Sequence, residues 1–194
     1  MSTESSCHIT LLPPRLITKV SGSSDTIECS VHSLPKSLQR EFHHVFGVSY
    51  ILSSSPTPSL SSDISLWAIP TNQRARHDLV AIGPEIEAEK DRLLNVFLDF
   101  GEEVANKIRS KGYWADYIDP CSGLPMLSLN CNKVYSEVDG MECLLNYKSY
   151  NAGFCKILTH PQWGSAVYPA TIFAHAPEQI IKEVISSYPD APLE

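Results

Sequence analysis

Hydrophobic and polar positions alternate between two periods along this chain. Ile27-Glu28-Cys29-Ser30-Val31 alternates apolar and polar, the signature of a half-buried strand. Pro35 then opens a short helix in which Leu38, Phe42 and Val45 share a face and Gly47 is the stop. Tyr50–Leu52 and Ile64–Ile69 read as paired strands bracketing a serine-rich loop, Ser53–Ser62. Asn72–His77 reads as a polar excursion and Leu79–Ile82 as a further strand or loop. The strongest signal is Pro84–Lys111. Ile86, Leu93, Phe97, Phe100, Val104 and Ile108 recur in steps of three and four, with Lys90 as the one break in the stripe. Pro84 at the first helical position, Glu85, Glu87 and Glu89 early, and Lys107, Arg109 and Lys111 late suit the polarity of a helix that stops at Gly112.

After Gly112 the period shortens to two. Tyr113–Asp119 alternates, and Pro120-Cys121-Ser122-Gly123 turns the chain. Met126–Leu129, Met141–Leu145, Gly153–Thr159 and Ala166–His175 read as strands. Pro177 opens a closing helix with Ile180, Ile181, Val184 and Ile185 on its buried face. Strands, a long helix, more strands and a helix predict an α+β fold, an antiparallel sheet with the long helix and a C-terminal helix packed on it.

Composition narrows the function classes. The 194 residues are 43% hydrophobic and 19% charged, as in one globular domain. Of 25 serines, 17 lie in residues 1–65, so residues 1–26 read as a flexible serine-rich arm and residues 27–194 as the domain. The formal charge of −7 divides as −2 over residues 1–97 and −5 over residues 98–194. That sign disfavours nucleic acid and anionic membrane as partners. No apolar run approaches the roughly 20 residues that cross a bilayer, and no secretory or transit pattern opens the chain. The expected compartment is the cytosol. The six cysteines are then reduced thiols, without zinc-ligand spacing.

No phosphate-binding glycine loop, nucleophile elbow or metalloprotease helix motif occurs. Two stretches stand out. In Tyr113–Asp119 the carboxylates of Asp116 and Asp119 read either as exposed acids offered to a partner or as turn caps beside core rings. In Gly153–Gly164, Cys155 lies beside Lys156, a neighbour that can activate a thiol. Strand alternation sends Cys155 and His160 to opposite faces, so no Cys-His dyad is implied. A buried small apolar role is the alternative for Cys155.

Gly112–Leu124, reading GYWADYIDPCSGL, resembles the GYWADFIDPSSGL stretch of the methylmalonic aciduria and homocystinuria type D family, and Cys155–Gly164 is similar to its CKVIRHxxWG. The resemblance covers about residues 27–187, with this chain longer around Asn72–Ile82. It implies a nitroreductase-like fold without bound flavin, no catalysis and no tightly held cofactor. It implies an adaptor in intracellular vitamin B12 (cobalamin) trafficking. Such an adaptor docks on the cobalamin-processing type C protein and directs the cofactor to methionine synthase and to mitochondrial methylmalonyl-CoA mutase. Asp116, Asp119, Trp163 and Gly164 become interface candidates. The family's cobalt-binding thiolate belongs to a GCCK pair, and here Gly153-Phe154-Cys155-Lys156 puts Phe154 at the first cysteine. The next residue, Cys155, is therefore the candidate thiolate, sulfur being a soft ligand for cobalt. Better-known members carry a long leader with a mitochondrial address, which favours the cytosolic branch for this chain. Two rivals are a flavin-dependent nitroreductase-like oxidoreductase and a thiol enzyme using Cys155 or Cys121.

Overall fold

The computed structural model describes residues 8–18, 25–47, 64–128 and 131–192. Its strands are β1 (Thr10–Thr18), β2 (Thr26–Ser33), β3 (Ile64–Arg74), β4 (Trp114–Tyr117), β5 (Lys148–Ala152), β6 (Cys155–Thr159) and β7 (Val167–Pro177). Its helices are α1 (Lys36–Phe46), α2 (Pro84–Ser110), α3 (Glu137–Leu145) and α4 (Glu178–Ser186). Five strands form one antiparallel sheet in the order β1-β2-β3-β7-β4, and β5-β6 is a separate hairpin. The predicted α+β class with an antiparallel sheet therefore holds.

The long helix occupies almost the predicted span, and its stripe, Ile86, Leu93, Phe97, Phe100, Val104 and Ile108, is buried. With α4 it covers one face of the sheet, packing on Ile27, Val31, Trp67, Ile69, Ile172 and Ala174. Gly101 sets the approach: a Cβ there would come within 2.9 Å of the Tyr117 ring. On the other face α1 and α3 lay Phe42, Phe46 and Leu144 against Ala68, Phe173, Trp114 and Ile118. Those rings meet edge-on at centroid distances such as 5.5 Å for Phe42–Trp114 and 5.6 Å for Phe46–Phe173.

Several sequence expectations need correction. Residues 10–18, expected within a flexible arm, form β1, with Ile17 in the core. Pro13 and Pro14 are tolerated because β1 is an edge strand whose register shifts around them. The outer edge of β1 is partly closed by the chain's end, where Thr18 N donates to Pro189 O (3.0 Å) and Ala191 N to Leu16 O (2.9 Å). Residues 1–7 and 19–24 of the expected arm lie outside the described residues, as do Tyr50–Leu52 and Ser53–Ser62.

Asn72 and Gln73, read as the start of a polar excursion, are buried in β3. Partners explain this: Asn72 Nδ2 donates to Glu28 Oε1 (3.1 Å) and Gln73 Nε2 to Leu93 O (2.8 Å). Leu79–Ile82 is loop. Met141–Leu145, read as a strand, belongs to α3; Ser136 caps that helix and Glu137 and Asp139 fill its first turn. Residues 126–128 form bends rather than a strand, and Leu129 lies outside the described residues. Cys29, Cys121, Cys131, Cys143 and Cys155 are free thiols, while Cys7 is outside. No helix among the described residues is long and apolar enough to cross a membrane.

Candidate functional site

The hairpin β5-β6 is closed by the two-residue turn Gly153-Phe154, with Gly153 at φ 63°, a conformation that favours glycine at this position. Alternation then sorts its side chains. Leu158 faces inward with Met141 and Val167, and Lys156, on the same side, spans Asp139 Oδ1 and Glu142 Oε2 of α3, each at 2.6 Å. The hydrogen bonds that Lys156 donates to Asp139 and Glu142 raise its pKa. Cys155 is exposed, and beyond it Phe154 projects fully into solvent, with Tyr150 about half exposed on the neighbouring strand. The ammonium adjoining Cys155 in sequence is thus committed to two carboxylates on α3.

The base of the hairpin is fastened to the sheet through a buried network. His160 and Gly164 exchange backbone hydrogen bonds (2.9 and 3.0 Å), with Gly164 at φ 58°. Inside that tight loop His160 Nδ1 accepts from the backbone N–H groups of Gln162 and Trp163, both at 3.2 Å. The ring proton therefore resides on Nε2, which donates to the Glu28 carboxylate at 3.2 and 3.3 Å. Glu28 Oε1 also accepts from Tyr147 OH (3.0 Å) and Asn72 Nδ2 (3.1 Å). Burial raises the Glu28 pKa, but donors led by His160, with Tyr147 and Asn72, outweigh it and hold the carboxyl below its ordinary value. Burial, with the Glu28 charge beside it, pushes the Tyr147 phenol upward. Trp163 stacks on His160 (centroids 3.9 Å, 15°), and Tyr147 meets the same ring edge-on at 5.0 Å.

The structure separates the residues singled out in the sequence. Cys155 lies near the hairpin tip, and Trp163 and Gly164 lie at its base. Asp116 sits on β4 at the far edge of the sheet, and its reading as an exposed acid is corrected, because it is fully buried. Its Oδ1 accepts from Tyr117 N (2.8 Å) and Leu127 N (2.9 Å) and its Oδ2 from Ser128 N (2.7 Å). Those bonds satisfy the 127–128 backbone, which accounts for the missing strand there. Asp119 is half exposed and caps the following turn, accepting from Cys121 N (3.0 Å), Ser122 N (3.3 Å) and Ser122 Oγ (2.7 Å). Sequence reading missed Glu28 and Tyr147 as anchors. An acid at an alternate position of a half-buried strand looks solvated until another element is known to cover it. Among the described residues no group of three or more His, Cys, Asp or Glu is arranged to hold a metal ion.

A family model described as methylmalonic aciduria and homocystinuria type D protein matches residues 17–185, a span that includes β2, the hairpin and its anchor. The chain belongs to this family. The cobalamin trafficking protein CblD of Rattus norvegicus is 30% identical over 153 residues, covering 79% of this chain and 48% of the relative. The Homo sapiens protein of the same name is 29% identical over 164 residues, covering 84% and 51%. That of Gallus gallus is 29% identical over 150 residues, covering 77% and 47%. The chain thus spans about half the length of the curated relatives it matches. Within the family's matched span, the buried His160 with the half-buried Glu28 and Trp163 forms the anchor, and Phe154 and Cys155 form the exposed tip.

Proposed function

We propose that this domain is a non-enzymatic adaptor in cobalamin trafficking, and that it docks through the β5-β6 tip on a cobalamin-processing type C protein. Membership of the family and the name carried by its relatives support the trafficking role. The observation that carries the docking reading is the shape of the hairpin. It ends in a fully exposed aromatic ring, Phe154, beside the exposed Cys155 thiol, on a base bolted down by Lys156 and by the Glu28–His160 network. Exposed aromatic anchors on a rigid support are the usual centres of protein interfaces. A thiol at that tip can reach a cobalt ion held by the partner, and its softness suits that metal. Trp163 and Gly164 at the base form the rim of the same surface. Asp119 lies at the other edge of the sheet and Asp116 is enclosed, so the docking reading assigns them to loop shape. Delivery then proceeds to methionine synthase and to methylmalonyl-CoA mutase. A nitroreductase-like scaffold without flavin fits the antiparallel sheet with helices on both faces.

The test is capture of purified type C protein, with and without cobalamin, by the full chain and by Phe154→Ala and Cys155→Ala. Binding that Phe154→Ala weakens supports the docking surface, and absence of binding in both states overturns the adaptor reading. A cobalamin absorption change on mixing that survives Cys155→Ala removes the thiolate from the proposal.

A further inference from the structure

The sheet face opposite α2 is covered unevenly. Helices α1 and α3 cover its β7-β4 half, the segment from Tyr147 to Gly164 covers its middle, and the β1-β2 end carries a groove of about 1020 Å³. Leu16, Thr18, Thr26 and Arg74 contribute to the lining from β1, β2 and β3. Thr18 pairs with Thr26, and Glu28 pairs with both Leu16 and Asn72, so these residues share one face. Trp163 and Gln162 line it from the hairpin base, and the chain's end, Asp190 to Pro192, lines it from the other side. A space of this size suits a ligand of small-molecule dimensions.

The lining has a definite chemistry. Trp163 is a flat apolar surface whose orientation is set by its stack on His160 and by the hydrogen bonds that hold that ring. Arg15 is spent inside the fold: it pairs with Asp190 and donates to the carbonyl of Ile185 (2.8 Å). Arg74 is different. It is exposed at the end of β3, and among the described residues no ion pair or side-chain hydrogen bond engages it, nor the hydroxyls of Thr18 and Thr26. With Arg15 and Asp190 cancelling, the groove keeps one uncommitted guanidinium on a chain whose net charge is −7. Arg74 is therefore the charged lining residue free to take an anion. Guanidinium is also the side chain best matched to a phosphate or carboxylate. Two residues along β3 on the same face, the buried Asn72 leaves its Oδ1 without a partner, so this end of the sheet also has an unused acceptor.

We infer that the groove binds a planar aromatic ring joined to a phosphate, the ring against Trp163 and the phosphate on Arg74 with the Thr18 and Thr26 hydroxyls. A free nucleotide has this chemistry, and so does the benzimidazole ribonucleotide arm of a cobalamin. The second source rests on the trafficking reading, and the first does not. No covalent step is involved.

Tryptophan fluorescence of the full chain tests it, because Trp67 and Trp114 are buried and a stacked ring quenches Trp163 selectively. The probes are adenosine 5′-monophosphate, 5,6-dimethylbenzimidazole ribonucleotide, cobinamide (which lacks the arm) and inorganic phosphate. Saturable quenching by at least one nucleotide, weakened about tenfold or more in Arg74→Glu, is the expected result. Quenching by the dimethylbenzimidazole ribonucleotide but not by adenosine monophosphate or cobinamide identifies the cobalamin arm. Comparable quenching by both nucleotides identifies a general nucleotide site. No saturable quenching at millimolar nucleotide, an unchanged affinity in Arg74→Glu, or inorganic phosphate competing as well as either nucleotide overturns the inference. Capture of the type C protein by Arg74→Glu is measured in parallel. Intact nucleotide binding without capture by the native chain overturns only the adaptor reading, and capture without nucleotide binding overturns only the groove.

Discussion

The two faces of the central sheet are closed by different forces. The face towards α2 is largely apolar, with Ile27, Cys29 and Val31 on β2, Trp67 and Ile69 on β3, and Ala170, Ile172 and Ala174 on β7, and Thr71 and Gln73 as its buried polar exceptions on β3. Removing that area from water is the main force that holds it shut. The opposite face is aromatic only under α1 and α3. Towards β2 it carries Glu28, Ser30 and His32; Ser30 and His32 bond each other, and Glu28 pairs with donors that are distant in sequence. Glu28 meets His160 across 132 residues and Tyr147 across 119. The contrast teaches that the apolar face supplies stability without specifying much, whereas the polar face places one hairpin in one position. A shifted hairpin would leave a buried carboxylate without its donors.

The largest expected effect breaks the apolar face. Phe100 is fully buried and lies 5.1 Å from the Tyr188 ring, so Phe100→Ala costs about 3–5 kcal/mol, read as a lower urea midpoint. A loss under about 1 kcal/mol would show that this face is loosely packed.

Next comes the polar face. Glu28→Gln leaves the donors of His160, Tyr147 and Asn72 poorly matched and costs about 1–3 kcal/mol. The diagnostic readout is local: amide exchange accelerates across residues 147–164 more than in α2. Uniform acceleration instead would mean that the network is not a separate fastening. Because the Glu28 pKa is lowered on folding, its contribution is present above the ordinary carboxylate range and is lost as pH falls through its folded value.

Glu137 sharpens the comparison with the opposite sign. Its carboxyl accepts from Thr171 N (3.0 Å) and Thr171 Oγ1 (2.5 Å). The carboxyl is enclosed, although the residue as a whole keeps partial exposure, and burial raises its pKa to about 8. A raised folded pKa means that its contribution is complete below the unfolded value of 4.5 and is lost as pH rises towards 8. Glu137→Gln removes this dependence. The variant is near neutral in effect at pH 5 and more stable than the native chain by more than about 1 kcal/mol at pH 8, where urea midpoints are compared. An unchanged difference between the two pH values would mean that the buried carboxyl is already ionised.

The smallest effect on stability belongs to the tip. Phe154→Ala removes a fully exposed ring and changes stability by less than about 0.5 kcal/mol by thermal melting, while capture of the type C protein falls. A marked stability loss would place that ring within the fold.

Much of this protein was legible in its sequence wherever the signal was local. The period of 3.6 with Pro84, Glu85 and Lys107 determined α2 within a residue or two, and Pro35 with Leu38, Phe42 and Val45 determined α1. The stretches around Gly112–Leu124 and Cys155–Gly164 carried the family. Each of these depends on covalent neighbours, whose spacing already states which face they share. Met141–Leu145 was misread because a short apolar run has no period of its own, and the Ser136 cap that decides it lies upstream. Only the tertiary structure decided that Pro13 and Pro14 sit in an edge strand and that Asp116 is an internal fastener. It also decided that Glu28 receives His160, and that Cys155 and Phe154 face outward. The physical reason is the same in each case. A strand's alternation says which side chains share a face, but whether a polar group on that face meets water or a buried donor depends on what the rest of the chain lays over it.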